Sequence, residues 1–446
     1  MTAADQYYEK MTKTPVSRLI VRLGIPTTIS MLITNIYNLA DTYFVGSLGE
    51  SPQAATGILF TLQCIIQAVS FMLGHGSGSF VSKALADKNV KEATRYASTA
   101  FFTGTAAGAL LSILGLIFLT PFMRLLGSTE TILPYARDYG MWVLIACPFM
   151  VASLVLNNNL RYEGKAFFAM IGLTTGGILN IFGDFLLIRV LNMGVFGAGM
   201  ATAISQMISF TILLVFYLKK AQSTISLRAV SRDLSDYVGI CKVGFPSLIR
   251  QGLTSISSGL LNNLTKPFGD AAIAAMSVVN RFSSLVMCVG LGIGQGFQPV
   301  ASFNYQAKEY KRVKQGLVFT TILGFCVVTV LVLFGFLFAD QIVCVFQKSE
   351  RVIEIGAPAL RYATLGLLFL PLSVPVNMLY QSIRRADVAS FLSVLRSGAM
   401  FIPTLLITTS LWGLTGIQIS QPIADLLTGL CALPFTIHFL KKKRFD

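Results

Sequence analysis

Three carboxylates lie inside apolar segments long enough to cross a membrane: Asp41, Asp184 and Asp425. An ionised carboxylate at membrane depth costs at least about 2.5–3.5 kcal/mol, so such residues usually face the protein interior and take part in function. Thr34, Tyr37 and Asn38 precede Asp41 by seven, four and three residues and therefore share its helical face. This spacing predicts a polar stripe on an otherwise apolar helix.

Asp184 has similar surroundings, because Asn180 lies four residues earlier on the same helical face. Asp41, Asp184 and Thr202 are all expected at similar depth, one or two turns from the external surface. Two carboxylates, an amide and a hydroxyl provide hard oxygen ligands for a small cation such as Na⁺, or a pair of acids that share a proton. In the apolar segments of the N-terminal half, Lys and Arg occur only near the ends. This distribution disfavours simple ion pairing of the two acids with basic residues.

The elements that must position these residues are membrane helices. The chain of 446 residues is 54% hydrophobic and only 12% charged, about half the charge content of a soluble domain. Its apolar segments predict twelve transmembrane helices, and the fold class is therefore an all-α polytopic membrane protein. The segments are 19–46, 54–81, 98–122, 133–160, 167–189, 194–218, 237–265, 271–300, 316–339, 359–382, 388–410 and 413–440.

The positive charge indicates an orientation rather than a nucleic-acid partner. Of the 35 Lys and Arg residues, 25 lie in the N-terminal arm, in alternate loops and in the C-terminal tail. The protein is expected to cross the cell (plasma or inner) membrane several times. By the positive-inside rule, both of its termini are expected on the cytoplasmic side.

Internal repetition divides the chain into two halves, because four motifs of the first half recur in the same order and at nearly constant offset in the second. The motif at 23–26 recurs at 243–246, 73–78 at 291–296, Tyr139 with Pro148 as Tyr362 with Pro371, and Gly194 with Gly197 as Gly413 with Gly416. This repetition predicts an N-terminal lobe (1–218), a cytoplasmic linker (219–236) and a C-terminal lobe (237–446), related by an axis along the membrane normal.

The repeat also shows which half carries the acids. By the offsets of the nearest motifs, Asp41 corresponds to Leu261 and Asp184 to Ile407. The paired acids are therefore expected in one half only.

The C-terminal half contains charges of its own. Asp425 and Arg250 are both expected near the middle of the membrane, and Arg281 and Arg396 also fall inside apolar segments. We favour a buried structural ion pair of Asp425 with Arg250 or Arg281 over a second coupling or substrate site. Sequence alone does not decide which arginine is the partner.

The chain resembles a multidrug and toxic compound extrusion (MATE) transporter of the DinF-like branch, over all twelve segments. The residues that carry the resemblance are Pro26, the run NLADTYFVG at 38–46, Asn180 with Asp184, Thr202, and LRYEGK at 160–165. Transporters of this family have two six-helix lobes around a central cleft and export organic compounds, often cationic and amphipathic, in exchange for Na⁺ or H⁺.

The resemblance implies a cation or proton site at Asp41, Asn180, Asp184 and Thr202. It implies a surrounding polar network that includes Tyr139 and Asn157, beside Tyr37 and Asn38 on the stripe of Asp41, and bending of the first helix at Pro26. We favour H⁺ slightly over Na⁺, because neutralising one acid would be enough to release the polar stripe. The coupling mechanism expected is antiport by alternating access.

The expected partners are the lipid bilayer and small organic substrates. We expect a monomer, with no nucleic-acid partner and no cofactor beyond the coupling ion. A membrane enzyme is disfavoured because no nucleophile or metal motif is visible, and a channel because no repeated filter loop is visible. A lipid or glycan-lipid flippase remains the alternative, since Arg250, Arg281 and Arg396 could bind a pyrophosphate.

Overall fold

A computed structural model describes residues 3–346 and 349–441, and every regular element in those ranges is a helix. Two π-helical segments, Phe185–Val190 and Leu395–Ala399, follow α7 and α15, and two short 3₁₀ helices are Leu227–Ala229 and Lys266–Phe268. The α-helices are α1 Ala3–Lys13, α2 Val16–Gly46, α3 Glu50–Ala86, α4 Val90–Ile117, α5 Leu119–Leu125, α6 Leu133–Tyr162, α7 Ala166–Asp184, α8 Gly194–Lys220, α9 Leu234–Thr265, α10 Asp270–Gln306, α11 Tyr310–Leu337, α12 Ala339–Phe346, α13 Glu350–Leu367, α14 Leu370–Ser382, α15 Ala386–Val394 and α16 Phe401–Lys441.

The predicted membrane segments are confirmed as helices, with ends that differ by several residues. In the described ranges, nine helices are long and apolar enough to span a membrane, or ten if α13 and α14, bent by 47°, form one span. Helix α9 falls outside this set because Lys242, Arg250 and several neutral polar residues lower its mean hydropathy. The long helix α16 is interrupted at Gly413, whose φ of 56° and ψ of −126° are not helical. The predicted eleventh and twelfth segments meet there.

The repeat is visible in the helix boundaries themselves. Helices α3 and α10 begin at Glu50 and Asp270, and their last residues are displaced by the same amount as their first. The same displacement relates both ends of α4 to those of α11, and the start of α7 to the start of α15. The duplication therefore holds to the residue at these helices.

This constant displacement fixes the counterparts of the acids. Asp184 corresponds to Thr404, which corrects the predicted Ile407, while Asp41 still corresponds to Leu261. Neither acid has an acidic counterpart in the second repeat.

The chain forms two compact units, each built from two stretches of sequence. Unit 1 consists of Met1–Met11 and Ile29–Gln251, and unit 2 of Thr12–Thr28 and Gly252–Asp446. The first part of α2 thus belongs to unit 2, and the first part of α9 to unit 1. The predicted division at 1–218, 219–236 and 237–446 remains a prediction.

Glycines allow the first part of α9, in unit 1, and the first part of α2, in unit 2, to approach their neighbours closely. In unit 1, a Cβ on Gly76 of α3 would lie 2.1 Å from the carbonyl oxygen of Ile240 in α9. In unit 2, a Cβ on Gly296 of α10 would lie 2.4 Å from the Cα of Gly24 in α2. Only glycine fits at such distances, so the glycine-rich motifs serve close helix packing.

The stretch predicted as a linker, 219–236, is held against unit 1. The buried carboxylate of Glu163, in the loop between α6 and α7, accepts hydrogen bonds from the Ser223 hydroxyl and the backbone N–H of Gln222. Burial raises the pKa of Glu163 above its ordinary value, although these hydrogen bonds oppose the shift. The backbone N–H of Ser231 also donates to the Thr99 hydroxyl of α4 at 2.9 Å. The linker is therefore packed on the helices, not an extended tether.

Candidate functional site

The two acids of the predicted site lie in unit 1, and their side chains are buried. Asp41 is 7% exposed near the end of α2, and Asp184 is fully buried at the end of α7. They are close enough for the charge of one to act on the other. The structure therefore brings together two carboxylates that are far apart in the chain and belong to different helices.

Tyr139 of α6 connects Asp41 to the polar residues of the neighbouring helices. Its hydroxyl donates to Asp41 Oδ2 at 2.7 Å and lies 3.2 Å from the Thr202 hydroxyl of α8. The Asn180 amide of α7 donates to the same Thr202 hydroxyl at 3.0 Å. Asp41, Tyr139, Thr202 and Asn180 thus form one hydrogen-bonded chain across four helices. All four predicted coupling residues lie in or beside this cluster.

Several acceptor oxygens of the cluster have no hydrogen-bond partner among the described residues. They are buried, and they comprise Asp41 Oδ1, Asn180 Oδ1 and both carboxylate oxygens of Asp184. Neither acid forms an ion pair with a basic side chain of the described ranges. A desolvated carboxylate without a donor or cation is costly, and a bound proton or a small cation would remove that cost.

The donor set of the cluster suits either ion. Two carboxylates, a carboxamide oxygen and a hydroxyl can ligate Na⁺ through hard oxygen atoms. The described residues contain no group of three or more His, Cys, Asp or Glu side chains that could hold a metal. A transition-metal site is therefore not supported in these ranges, whereas an alkali-ion site or a shared proton needs no third carboxylate.

Of the other predicted supporting residues, Tyr37 shares the helical face of Asp41. Its side chain is buried and packs against Gly177 of α7, the helix that carries Asp184. Asn38 is half-buried, and its carbonyl oxygen accepts the Thr42 hydroxyl at 2.9 Å. Pro26 lies within α2, two residues before the chain passes from unit 2 to unit 1.

Asn157 has a role that both repeats share. Its amide donates to the carbonyl oxygen of Ala169 at 3.0 Å and so fastens the end of α6 to α7. In the second repeat, the amide of Asn377 donates to the carbonyl oxygen of Ala389 at 2.8 Å, and both of these residues are the exact repeat counterparts of the first pair. Because the second repeat has no paired acids, this bond belongs to the repeat architecture and does not by itself define the acid site.

The charged pair of the C-terminal half differs from the pair favoured above. Asp425 of α16 binds Arg396, whose Nε donates to Asp425 Oδ1 at 2.8 Å, in place of Arg250 or Arg281. Arg250 belongs to unit 1 and Arg396 to unit 2, which also contains Asp425. The Gln421 amide donates to the same Oδ1 at 2.9 Å.

Sequence reasoning assigned no role to Gln421, to Met287 beside Arg396, or to Glu163 in the LRYEGK motif. Gln421 is the only one with a usable signal, because it precedes Asp425 by four residues on the same helical face. Met287 and Glu163 contact residues far away in the chain, and no spacing reveals such contacts.

Comparisons with known proteins agree with this architecture. The family model described as MatE matches residues 26–186 and again residues 246–406, so its two matches are displaced by the same amount as the helix boundaries. The multidrug export protein MepA of Staphylococcus saprophyticus is 25% identical over 431 residues, which cover 96% of this chain and 94% of the relative.

Two solved structures are similar over almost the whole chain. One is the outward-facing conformation of a multidrug resistance MATE family transporter of the MOP superfamily, with a TM-score of 0.92, 25% identity, and coverage of 99% of this chain and 100% of the other. The second is a MOP superfamily transporter from Pyrococcus furiosus, described as having a binding pocket of reverse polarity that suggests a different function. Its TM-score is 0.91, with 25% identity and coverage of 97% and 98%.

Proposed function

Because the chain belongs to the MATE family of multi-pass membrane transporters, we propose that it exports amphipathic, often cationic organic compounds in exchange for H⁺ or Na⁺. The observation that supports this proposal most directly is the buried pair Asp41 and Asp184, with acceptor oxygens that no described side chain satisfies. A titratable or cation-binding group at membrane depth is what an ion-coupled exporter needs.

The coupling follows from competition between two states of the acid cluster. An external ion that binds at Asp41 and Asp184 compensates one of their two negative charges and weakens substrate binding, so that substrate leaves outward. Coupling free energies are reciprocal, so substrate must weaken ion binding by the same factor. The hydroxyl of Tyr139 in α6 binds Asp41 of α2 and lies beside Thr202 of α8. A movement of α2 is therefore transmitted to α6 and α8. Alternating access of the two lobes completes the exchange.

A direct test of export is the accumulation of a fluorescent organic cation in cells that lack their own exporters. Cells that make the protein are expected to accumulate less dye, and a protonophore or a sodium ionophore is expected to abolish the difference. Dye levels unchanged by the protein in energised cells would contradict export of this class of compound. ATP depletion with the ion gradients maintained serves as the control for primary transport.

The alternative function, a lipid or glycan-lipid flippase, is distinguished by combining the dye assay in cells with a lipid-translocation assay in vesicles. A flippase would translocate a labelled lipid or lipid-linked pyrophosphate in vesicles and leave dye accumulation unchanged. Of the three arginines that suggested this function, Arg396 already binds Asp425.

The orientation of the chain is a separate proposal, based on the charges of its loops. Both termini are expected in the cytoplasm, and Met1 and Asp446 lie outside the described residues. A cysteine that replaces Glu50, at the start of α3, is expected to react with an impermeant thiol reagent added to intact cells. A cysteine that replaces Lys88, in the next loop, is the matched control and is expected to react only after permeabilisation. The opposite pattern would overturn the orientation.

A further inference from the structure

The ion pair of unit 2 uses only part of the hydrogen-bonding capacity of Arg396. A guanidinium has five N–H donors. Nε is bound well, by Asp425 Oδ1 at 2.8 Å, but Nη2 lies 3.5 Å from Oδ2. Nη1 donates to the sulfur of Met287 at 3.3 Å, and a thioether is a weak acceptor. Both terminal nitrogens of Arg396 therefore retain donors for an oxygen ligand.

The two partners also differ in accessibility. The side chain of Arg396 is 21% exposed, whereas that of Asp425 is 1% exposed. Both lie near the middle of membrane-spanning stretches, Arg396 in the π-helical segment after α15 and Asp425 in the second half of α16. An arginine exposed to hydrocarbon at this depth is strongly disfavoured, so its exposed part is expected to face a water-filled space. The exposed part of Arg396 is therefore the part that a ligand could reach.

The surroundings hold the guanidinium in place. Asp425 Oδ1 accepts from both Arg396 and Gln421, which anchors the carboxylate behind the arginine. An arginine held in this way loses little further conformational freedom on binding a ligand. Its planar fork matches a carboxylate, and the flexible Met287 side chain can move aside for it.

From this geometry we propose that Arg396, anchored by Asp425 and Gln421, binds the carboxylate of an amphiphilic substrate. The site would take those substrates of the proposed exporter that carry a carboxylate, and it rests on that proposed function. Met287 provides apolar contact beside the carboxylate. Asp425 is a positioning residue, because it is too deeply buried to reach the ligand.

Rhodamine B and its ethyl ester are suitable probes because they share the cationic ring system and differ in the free carboxylate. Dissociation constants are measured by fluorescence anisotropy with the purified full-length protein in detergent, without any ion gradient. The test variant is the double substitution Arg396→Gln with Asp425→Asn, which removes both charges and leaves neither one buried alone. Arg396→Lys retains the ion pair but loses the planar fork, and Thr404→Ala is the control.

For the double variant, the dissociation constant of rhodamine B is expected to rise by between about 10-fold and 100-fold, the range for hydrogen bonds to charged groups. Its constant for the ethyl ester is expected to change by less than about twofold. Arg396→Lys should weaken the binding of rhodamine B but not that of the ethyl ester. If the double variant does not fold, this single variant tests the carboxylate site.

An equal change for both dyes, no change for either, or no binding of rhodamine B by the wild-type protein would overturn the carboxylate site. Export of organic cations is measured separately, in cells. Loss of the carboxylate site with export intact therefore leaves the proposed function standing, whereas absence of export with selective binding of rhodamine B contradicts the function alone.

Discussion

Replacing Asp41 or Asp184 by Asn is expected to reduce export by about 100-fold or more, while the protein still folds and inserts in the membrane. The substitution preserves side-chain volume but removes the group that can bind a proton or a cation. Coupling energies of up to about 3 kcal/mol correspond to factors of this size. Insertion should be unchanged or improved, because a neutral amide costs less at membrane depth than a carboxylate.

The measurement is dye export from cells, normalised to the amount of folded protein in the membrane. Thr404→Ala is the matched control, because Thr404 occupies in the second repeat the position that Asp184 occupies in the first. It is expected to export at the wild-type rate. The double variant with Asn at both acids should lose no more than either single variant, because residues that act as one unit are not additive. A double variant that still exports dye against its gradient would exclude this cluster as the coupling site.

An acid-outside pH gradient, without Na⁺, is expected to drive substrate efflux from proteoliposomes. The two buried acids have no basic partner among the described residues, and one bound proton would relieve their mutual repulsion. Neutralising Asp41 also frees the polar stripe of α2, which allows that helix to bend at Pro26. We expect an external Na⁺ gradient at matched pH to give a smaller rate.

Efflux of preloaded dye is followed under each gradient separately and under both together. Proteoliposomes with Asp184→Asn are expected to respond to neither gradient, which excludes leakage. If the Na⁺ gradient alone drives efflux, proton coupling is wrong, although Asp41, Asn180, Asp184 and Thr202 would remain the site. Four oxygen-bearing side chains with backbone or water oxygens are sufficient for a sodium ion.

Local patterns were sufficient to predict the membrane helices and the duplication. Stretches of about 20 or more apolar residues have few alternatives to a membrane helix, since backbone groups in lipid must be satisfied internally. The repeat was recognisable because its motifs kept their order and approximate spacing, and the helix boundaries then gave the exact displacement. The offset taken from the motif of Tyr139 and Pro148 placed the counterpart of Asp184 at Ile407 instead of Thr404.

The acids of the site were also predictable, because a carboxylate inside an apolar segment is costly and therefore conspicuous. The hydrogen bonds that connect Asp41 to the neighbouring helices were not predictable. Asp41, Tyr139 and Thr202 lie on three helices, and hydrogen bonds between helices depend on how the helices rotate and approach in the fold. Helical spacing reports only which residues share a face of the same helix.

The sequence by itself therefore determined that this chain is a duplicated bundle of membrane helices with two buried acids in its first half. The tertiary structure decided the partners: Arg396 for Asp425, Tyr139 for Asp41, and Glu163 for the linker. It also assigned the first parts of α2 and α9 to units other than those of their remaining residues. The physical reason is that hydrophobicity and helical period are properties of one continuous stretch of sequence. Ion pairs, hydrogen bonds to buried carboxylates and close contacts at glycines form between residues that only the packed chain brings together.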